Sequence, residues 1–292
     1  RALGALVPDA LRPMLELAPA EVPAAATLPE ISPSVGERRA RVALLAGCAQ
    51  QVLEPDINLA TIDVLTRNGV EVVVPRAQGC CGGLAWHTGD LAAAQAAARR
   101  NLDAFPAEVD AILTNAAGCG SAMHEYALIL RGTTDEARAR EFCVRVVDVS
   151  VFLARLGLRE KPAGWGQPRV VAYHDACHLS HAQGVRQQPR DLVAGIPGIA
   201  MTAVAEADIC CGSAGIFNLT QPEMATALGR RKASHLSDAG PDLVVTSNPG
   251  CLLQIQSAAR AQGHRYRVVH LVELLDASIS GRGDALLGPD RP

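Results

Sequence analysis

Eight of the nine cysteines fall into two matching sets of four. Cys48, Cys80, Cys81 and Cys119 recur about 130 residues later as Cys177, Cys210, Cys211 and Cys251. Their surroundings recur with them: Gly79-Cys80-Cys81-Gly82 answers Ile209-Cys210-Cys211-Gly212, and Asn115-Ala-Ala-Gly-Cys119 answers Asn248-Pro-Gly-Cys251. Soft thiolate donors gathered four at a time from distant positions are a metal-ligand set. Cys143 has no counterpart and reads as a spare buried thiol.

Three chemistries compete for these sets. Free cysteine is often simply buried, but that accounts for scattered residues, not for eight in register beside glycines. A closed tetrahedral zinc site draws its thiolates from Cys-x₂₋₄-Cys knuckles, and neither half contains one. Adjacent cysteines followed by glycine suit a polynuclear cluster, in which each thiolate addresses a different iron. Gly47, Gly79, Gly82, Gly83, Gly118, Gly212 and Gly250 would let backbone N–H groups approach the sulfurs and tune a cluster's potential. The expectation is therefore an iron–sulfur cluster, of the 4Fe-4S kind, at one or both sites, with zinc at one site as the alternative. Disulfides fit poorly, because neighbouring residues rarely reach bridge geometry and nine is an odd number; a reduced, cytoplasmic setting follows.

The two sets differ in their histidines. His174, Asp175, His178 and His181 surround Cys177, whereas the first set has Ala46-Gly47-Cys48-Ala49-Gln50. Three roles stay open for them: tying the loop down by hydrogen bonds, tuning a cluster or moving a proton beside it, or ligating metal. Asn115 and Asn248 precede the last cysteine of each set and suit either a turn or a contact with the centre. His87 and His124 read as ordinary hydrogen-bonded or solvated side chains, and Arg99, Arg100, Arg230, Arg231 and Lys232 as solvated helix faces.

Positioning these residues needs a repeated strand–loop–helix order. Arg41–Ala46 is an apolar run ending at Gly47-Cys48, and a helix is expected over Asp56–Asn68 with Gly69 as its stop. Val70–Val74 forms a β-branched strand before Gly79-Cys80-Cys81-Gly82, an alanine-rich helix spans Asp90–Phe105, and Asp110–Thr114 is a strand leading to Cys119. A strand over Arg145–Asp148 and a helix over Val149–Leu156 close the unit. The second unit repeats the order, with strands at Arg169–Tyr173, Ala200–Val204, Asp242–Thr246 and Arg267–His270. Such alternation predicts an α/β protein: two pseudo-equivalent domains, each a mainly parallel sheet with helices on both faces. The expected divisions are a Pro-rich lead-in over 1–40, with a short helix over Asp9–Leu17, a first domain over 41–157, a second over 168–280 and a tail over 281–292. Parallel sheets place function beyond the carboxyl ends of their strands, and every repeated cysteine follows a strand.

Composition excludes several classes. A net charge of −3 offers no electrostatic support for nucleic acid. No apolar run approaches the roughly 18 residues that suggest a membrane span. Neither a Walker-type Gly-x-x-x-x-Gly-Lys nor a Gly-x-Gly-x-x-Gly after a strand is present, so no nucleotide or flavin site is expected. The start at Arg1, without a signal pattern, reads as a fragment of something longer.

The doubled motif resembles the cysteine-rich "CCG" domain, in tandem from Arg41 to Ile279. That domain is shared by heterodisulfide reductase B subunits, anaerobic glycerol-3-phosphate dehydrogenase C subunits, lactate-utilisation proteins and the glycolate oxidase iron-sulfur subunit. His174-Asp-Ala-Cys-His-Leu-Ser-His-Ala-Gln-Gly184, Cys210-Cys-Gly-Ser-Ala-Gly-Ile-Phe-Asn218 and Leu11-Arg-Pro-Met-Leu-Glu-Leu-Ala-Pro19 most resemble the last of these. The resemblance implies an iron–sulfur electron-transfer subunit of a multi-subunit glycolate oxidase, in the cytoplasm or at the inner face of the membrane. There it would take electrons from flavin-containing subunits in a heteromeric complex and would not be active alone. Alternatives are a heterodisulfide-reductase-like or lactate-utilisation oxidoreductase subunit, or a zinc-stabilised assembly scaffold. Two departures matter. The Cys-x₂-Cys-x₂-Cys-x₃-Cys-Pro runs of the ferredoxin-like module usual in such proteins do not occur among these 292 residues. The Cys-x-x-Cys that ends each heterodisulfide reductase motif is also missing, since Cys119 is followed by Gly-Ser-Ala122 and Cys251 by Leu-Leu-Gln254.

Overall fold

Two parallel sheets carry the chain, one in each half. The structure, a computed structural model, describes residues 23–24 and 26–287, so the short helix expected over Asp9–Leu17 lies outside the described residues. The first sheet comprises β1 (Ile31–Ser32), β2 (Ala40–Leu44), β3 (Val70–Val73), β4 (Ala111–Thr114) and β5 (Val146–Asp148), in the order β1-β3-β2-β4-β5. The second comprises β6 (Arg169–His174), β7 (Ile199–Thr202), β8 (Leu243–Thr246) and β9 (Arg267–His270), in the order β7-β6-β8-β9. Without β1 the two orders are the same. In each half the chain steps from its first strand to one side, then crosses back to the other. The reversal falls between β2 and β4 in one sheet and between β6 and β8 in the other, and crevices at such reversals are where open α/β sheets bind ligands.

The strands are short and β-branched, and their faces sort by the period of two. Val42 and Leu44 enter one apolar core while Ala43 and Leu45 enter another on the opposite face. Both faces are covered, as parallel sheets require. The lead-in contributes β1, which the sequence pattern did not reveal: two residues pair antiparallel with β3 (Ile31 with Val73) before Pro33 ends the run. An edge position tolerates this interruption. A helix over Glu136–Arg145 precedes β5 and was likewise not foreseen.

The halves dock reciprocally. The closing helix of the second half, Leu271–Ile279, packs along the first long helix of the first half, Asp56–Arg67. The closing helix of the first half, Val149–Leu156, packs on the corresponding helix of the second, Gln187–Ala194. One core runs through both, joining Ile57, Leu65 and Leu153 to Val193, Leu271 and Leu275. Burial of each large aliphatic side chain contributes about 1.5–3 kcal/mol, so neither half keeps its apolar face covered alone.

Candidate metal centres

Each Cys-Cys-Gly turn is shaped by its glycine. Gly82 and Gly212 sit at φ 78° and 94°, the left-handed region that L side chains rarely adopt. A Cβ at Gly212 would lie 2.4 Å from the Ala225 carbonyl oxygen, and one at Gly82 would lie 2.9 Å from the Ala97 Cβ. The turn folds the glycine N–H back onto the first sulfur of the pair: Gly82 N donates to Cys80 Sγ at 3.4 Å and Gly212 N to Cys210 Sγ at 3.3 Å. The same contact is thus built twice from the same residues.

The other thiols come from the central strands. Cys48 follows β2, and its Sγ donates to Cys80 Sγ at 3.4 Å. Cys119 lies in the first turn of the helix Ala117–His124, after β4. Cys177 follows β6, and Cys251 lies in the first turn of Pro249–Ala261, after β8. Within each set the sulfurs form a line of neighbours, Cys48–Cys80–Cys81–Cys119 and Cys177–Cys210–Cys211–Cys251. All nine cysteines are free.

The charge pattern is doubled over the first three sulfurs of each set. Hydrogen bonds from the thiols on either side, Cys48 and Cys81, hold Cys80 down to about 2 against the cost of burial, and Gly82 N–H adds to the effect. Cys210 is held down to about 2 in the same way by Cys177, Cys211 and Gly212. Cys48 and Cys177 are pushed up, first by donating their protons to those sulfurs and then by burial and nearby negative charge. Cys81, hydrogen-bonded with Cys119 and Cys80, and Cys211, hydrogen-bonded with Cys210 and Cys251, are also raised, with burial and nearby negative charge adding to the effect. In the first quartet one sulfur ionises readily and its neighbours then resist, because like charges crowd a partly desolvated site; in the second, Cys251 is also held well below the usual thiol range, by its hydrogen bond with Cys211 first and then by His174 and Asn248. A bound cationic centre would relieve that repulsion and release the remaining protons.

Behind the first turn stands a clamp that sequence patterns did not expose. Asn101 accepts from Gly79 N at 2.9 Å and donates to Cys80 O at 3.1 Å and to Tyr126 Oη at 2.8 Å. Tyr126 Oη in turn donates to Cys81 O at 2.9 Å. In the second half the corresponding place is taken by Lys232. Expected on a solvated helix face, it is instead fully buried, with Nζ donating to the carbonyls of Glu206 (2.5 Å) and Ala207 (3.1 Å). Its helix turns this residue inward under the loop before Cys210. Of the residues grouped with it, Arg99 pairs with Asp135 and Arg231 with Glu206.

The flanking candidates separate cleanly. Asn248 donates to Cys251 Sγ at 3.3 Å and accepts from Gly118 N, next to Cys119, at 3.4 Å; one side chain thereby touches both sites. His178 places Nδ1 3.6 Å from Cys177 Sγ. Its ring lies 5.7 Å from that of His87, which ends the helix begun at Gly83 just beyond the first Cys-Cys-Gly turn. His87, expected to be an ordinary solvated or hydrogen-bonded side chain, is therefore part of the contact between the sites. His174 is 1% exposed, with a ring nitrogen within 4.8 Å of the sulfurs of Cys211 and Cys251. The other three face elsewhere. Asp175 takes both Arg190 nitrogens, the guanidinium lying over the Tyr173 ring. His181 contacts Asp208 O and Arg186. Asn115 joins a buried network with Gln50, Asn58 and Thr61. Cys143 is half-buried, its thiol donating to Met123 O at 3.3 Å and raised by burial.

No helix among the described residues is long and apolar enough to cross a membrane. A family model described as a cysteine-rich domain matches residues 42–124 and again 171–256. The chain is 35% identical over 277 residues to a probable glycolate oxidase iron-sulfur subunit of Bacillus subtilis, covering 92% of this chain and 62% of that protein. It is 35% identical over 275 residues to the glycolate oxidase iron-sulfur subunit of Escherichia coli, covering 92% and 65%. It is 33% identical to a fumarate reductase (CoM/CoB) subunit of Methanothermobacter marburgensis, covering 85% and 48%. The chain thus spans under two thirds of the length of these relatives. Among solved structures, a hypothetical protein of Helicobacter pylori shares the fold, with a TM-score of 0.58 at 12% identity over 97% of this chain and 56% of that one.

Proposed function

Because the chain belongs to the cysteine-rich CCG domain family, carrying that domain twice, we propose that each cysteine quartet holds an iron–sulfur cluster. We propose further that the protein is the iron-sulfur electron-transfer part of a multi-subunit glycolate oxidase. The observation that carries this reading is the doubled site: two lines of four sulfurs, each with a glycine N–H on its leading thiolate, facing one another across the interface between the halves. The donor set fits the group. Four thiolates are the ligand complement of a cubane cluster. Moreover, three ligand atoms within 4.8 Å of one another occur, among the described residues, only at His174, Cys211 and Cys251. Neither quartet closes around a point as the sulfurs of a single tetrahedral zinc would, each about 2.3 Å from the metal.

When bound, such clusters supply reversible one-electron transfer. The chain's own part is placement and tuning. Cys48, Cys80, Cys81 and Cys119 would hold one centre, and Cys177, Cys210, Cys211 and Cys251 the other. Gly82 and Gly212 N–H groups offset charge on the sulfurs, and buried strand ends limit water. Asn248 and the His87–His178 pair keep the two sites in contact, so that electrons entering at one can leave by the other. Flavin-containing subunits would oxidise the hydroxy acid and a downstream acceptor would receive the electrons, in a complex at the inner face of the membrane.

Anaerobic purification with iron, sulfide and zinc quantification, followed by electron paramagnetic resonance of the reduced protein, tests this. Iron and acid-labile sulfide with a cluster signal are expected. Colourless protein with two zinc ions per chain would overturn it.

A further inference from the structure

The two quartets have matching sulfurs, yet the pocket floors differ. His174 ends β6, the central strand of the second sheet, paired in register with Thr246 of β8. The position it occupies, three residues before the first cysteine of the set, is Leu45 in the first half. Leu45 packs into an apolar core. His174 is as deeply buried, and neither ring nitrogen meets an oxygen or nitrogen partner; the polar group it faces is the Cys251 sulfur. A buried polar atom left without a partner costs about 1–3 kcal/mol, so a ring whose other nitrogen meets no oxygen or nitrogen either is suited to a metal. The neighbouring soft donors are the sulfurs of Cys211 and Cys251, both buried, and the three ligand atoms lie within 4.8 Å of one another.

We infer that His174 is a metal ligand: an imidazole nitrogen binds the centre held by Cys177, Cys210, Cys211 and Cys251, giving that site a nitrogen donor the first site lacks. The inference rests on reading the quartets as metal centres but not on which metal fills them. Imidazole is neutral where thiolate is anionic. Beside four thiolates it is a fifth donor that brings no negative charge, and nitrogen ligation raises the potential of an iron–sulfur centre relative to sulfur ligation. Two centres with the same four sulfurs would then be inequivalent, and the second would be the electron sink of the pair. His178 and Asn248 touch single sulfurs from the flanks, while His174 alone approaches two from the strand end.

The test uses the whole chain, labelled with ¹⁵N-histidine and purified anaerobically, as wild type, His174→Leu, His174→Cys and, for comparison, His178→Leu. Pulsed electron paramagnetic resonance of the reduced protein reads histidine nitrogen coupling directly. Wild type and His178→Leu are expected to show it. His174→Leu, which installs the first half's residue, is expected to lose it together with metal from one of the two sites. His174→Cys should recover the metal without the coupling, at a lower potential, which separates lost ligation from lost folding. Coupling that survives in His174→Leu, or is missing from metal-loaded wild type, overturns the assignment. If wild type carries zinc instead of iron and sulfide, the cluster reading fails by itself. X-ray absorption at the zinc edge then decides the ligand: a nitrogen lost in His174→Leu supports it, and all-sulfur coordination in wild type overturns it.

Discussion

Single atoms decide whether each turn can present its thiolate. A methyl group at Gly212 meets the Ala225 carbonyl oxygen at 2.4 Å and is carried by backbone at φ 94°, a conformation that costs a non-glycine residue about 1–3 kcal/mol. Gly212→Ala should lower the thermal midpoint and empty the second site while the first keeps its metal, read by metal content per chain. The caps of the two closing helices form another residue-scale pair. Asp148 accepts from Ser150 N, and His270, at the matching place in the second half, accepts from Val272 N. Burial raises Asp148 to about 6 and lowers His270 to about 4. With His270 depressed below its unfolded value of 6.5, the unfolded chain takes up the proton first, and stability falls as pH drops from about 6.5 to 4. Asp148 is raised above its unfolded 3.8, so the folded chain takes up that proton first and stability rises as pH drops from about 6 to 4. Each effect is on the order of 3 kcal/mol, and they oppose. Denaturant titration across this window should show a shallow dependence in wild type. Asp148→Asn should make the acid loss steeper and His270→Asn should reverse the slope; equal slopes in all three would refute the pairing.

At the scale of elements, the loops after the strands carry the cysteines and the helix behind each Cys-Cys-Gly turn steadies it. Both halves use the same helix for this but different chemistry: an amide relayed through Tyr126 in the first, an ammonium on two carbonyls in the second. Burial lowers the Lys232 pKa, and the carbonyls before Cys210 offset the loss of water. Lys232→Met keeps the volume and strands those carbonyls, at a cost of about 1–3 kcal/mol. Faster metal release from the second site, with the first unchanged, is the expected outcome in a chelator competition assay. Tyr126→Phe should do the converse.

For the molecule as a whole, reciprocal docking makes one folding unit of two repeats. Leu275 lies at 0% exposure in the core shared by both halves, and its truncation to alanine should cost about 2–5 kcal/mol. Trp86 reports on the first half through its contact with Glu125, and Trp165 lies against Gly283 at the second. Single-tryptophan versions of Leu275→Ala should therefore unfold with coincident, equally lowered midpoints by both probes. Separate transitions would show that the shared core does not couple the halves. The same docking sets the sites face to face, since Asn248 reaches Gly118 and His178 reaches His87 only across this interface.

The alternation of strands and helices, the repeat, the two cysteine sets as a pattern and the glycine after each cysteine pair were legible in the chain, because they follow from spacing, β-branching and local backbone sterics; the order of strands within each sheet was not. The two-residue β1 and the helix before β5 were not, being too short or too charged to show a period. Where side chains point across the molecule belonged to the tertiary structure alone. It buried Lys232, turned Asp175, His181 and Asn115 away from sulfur, and aimed His174 and Asn248 toward it. Local pattern sets which residues share a face, whereas the partner each face meets is chosen by contacts between segments more than a hundred residues apart.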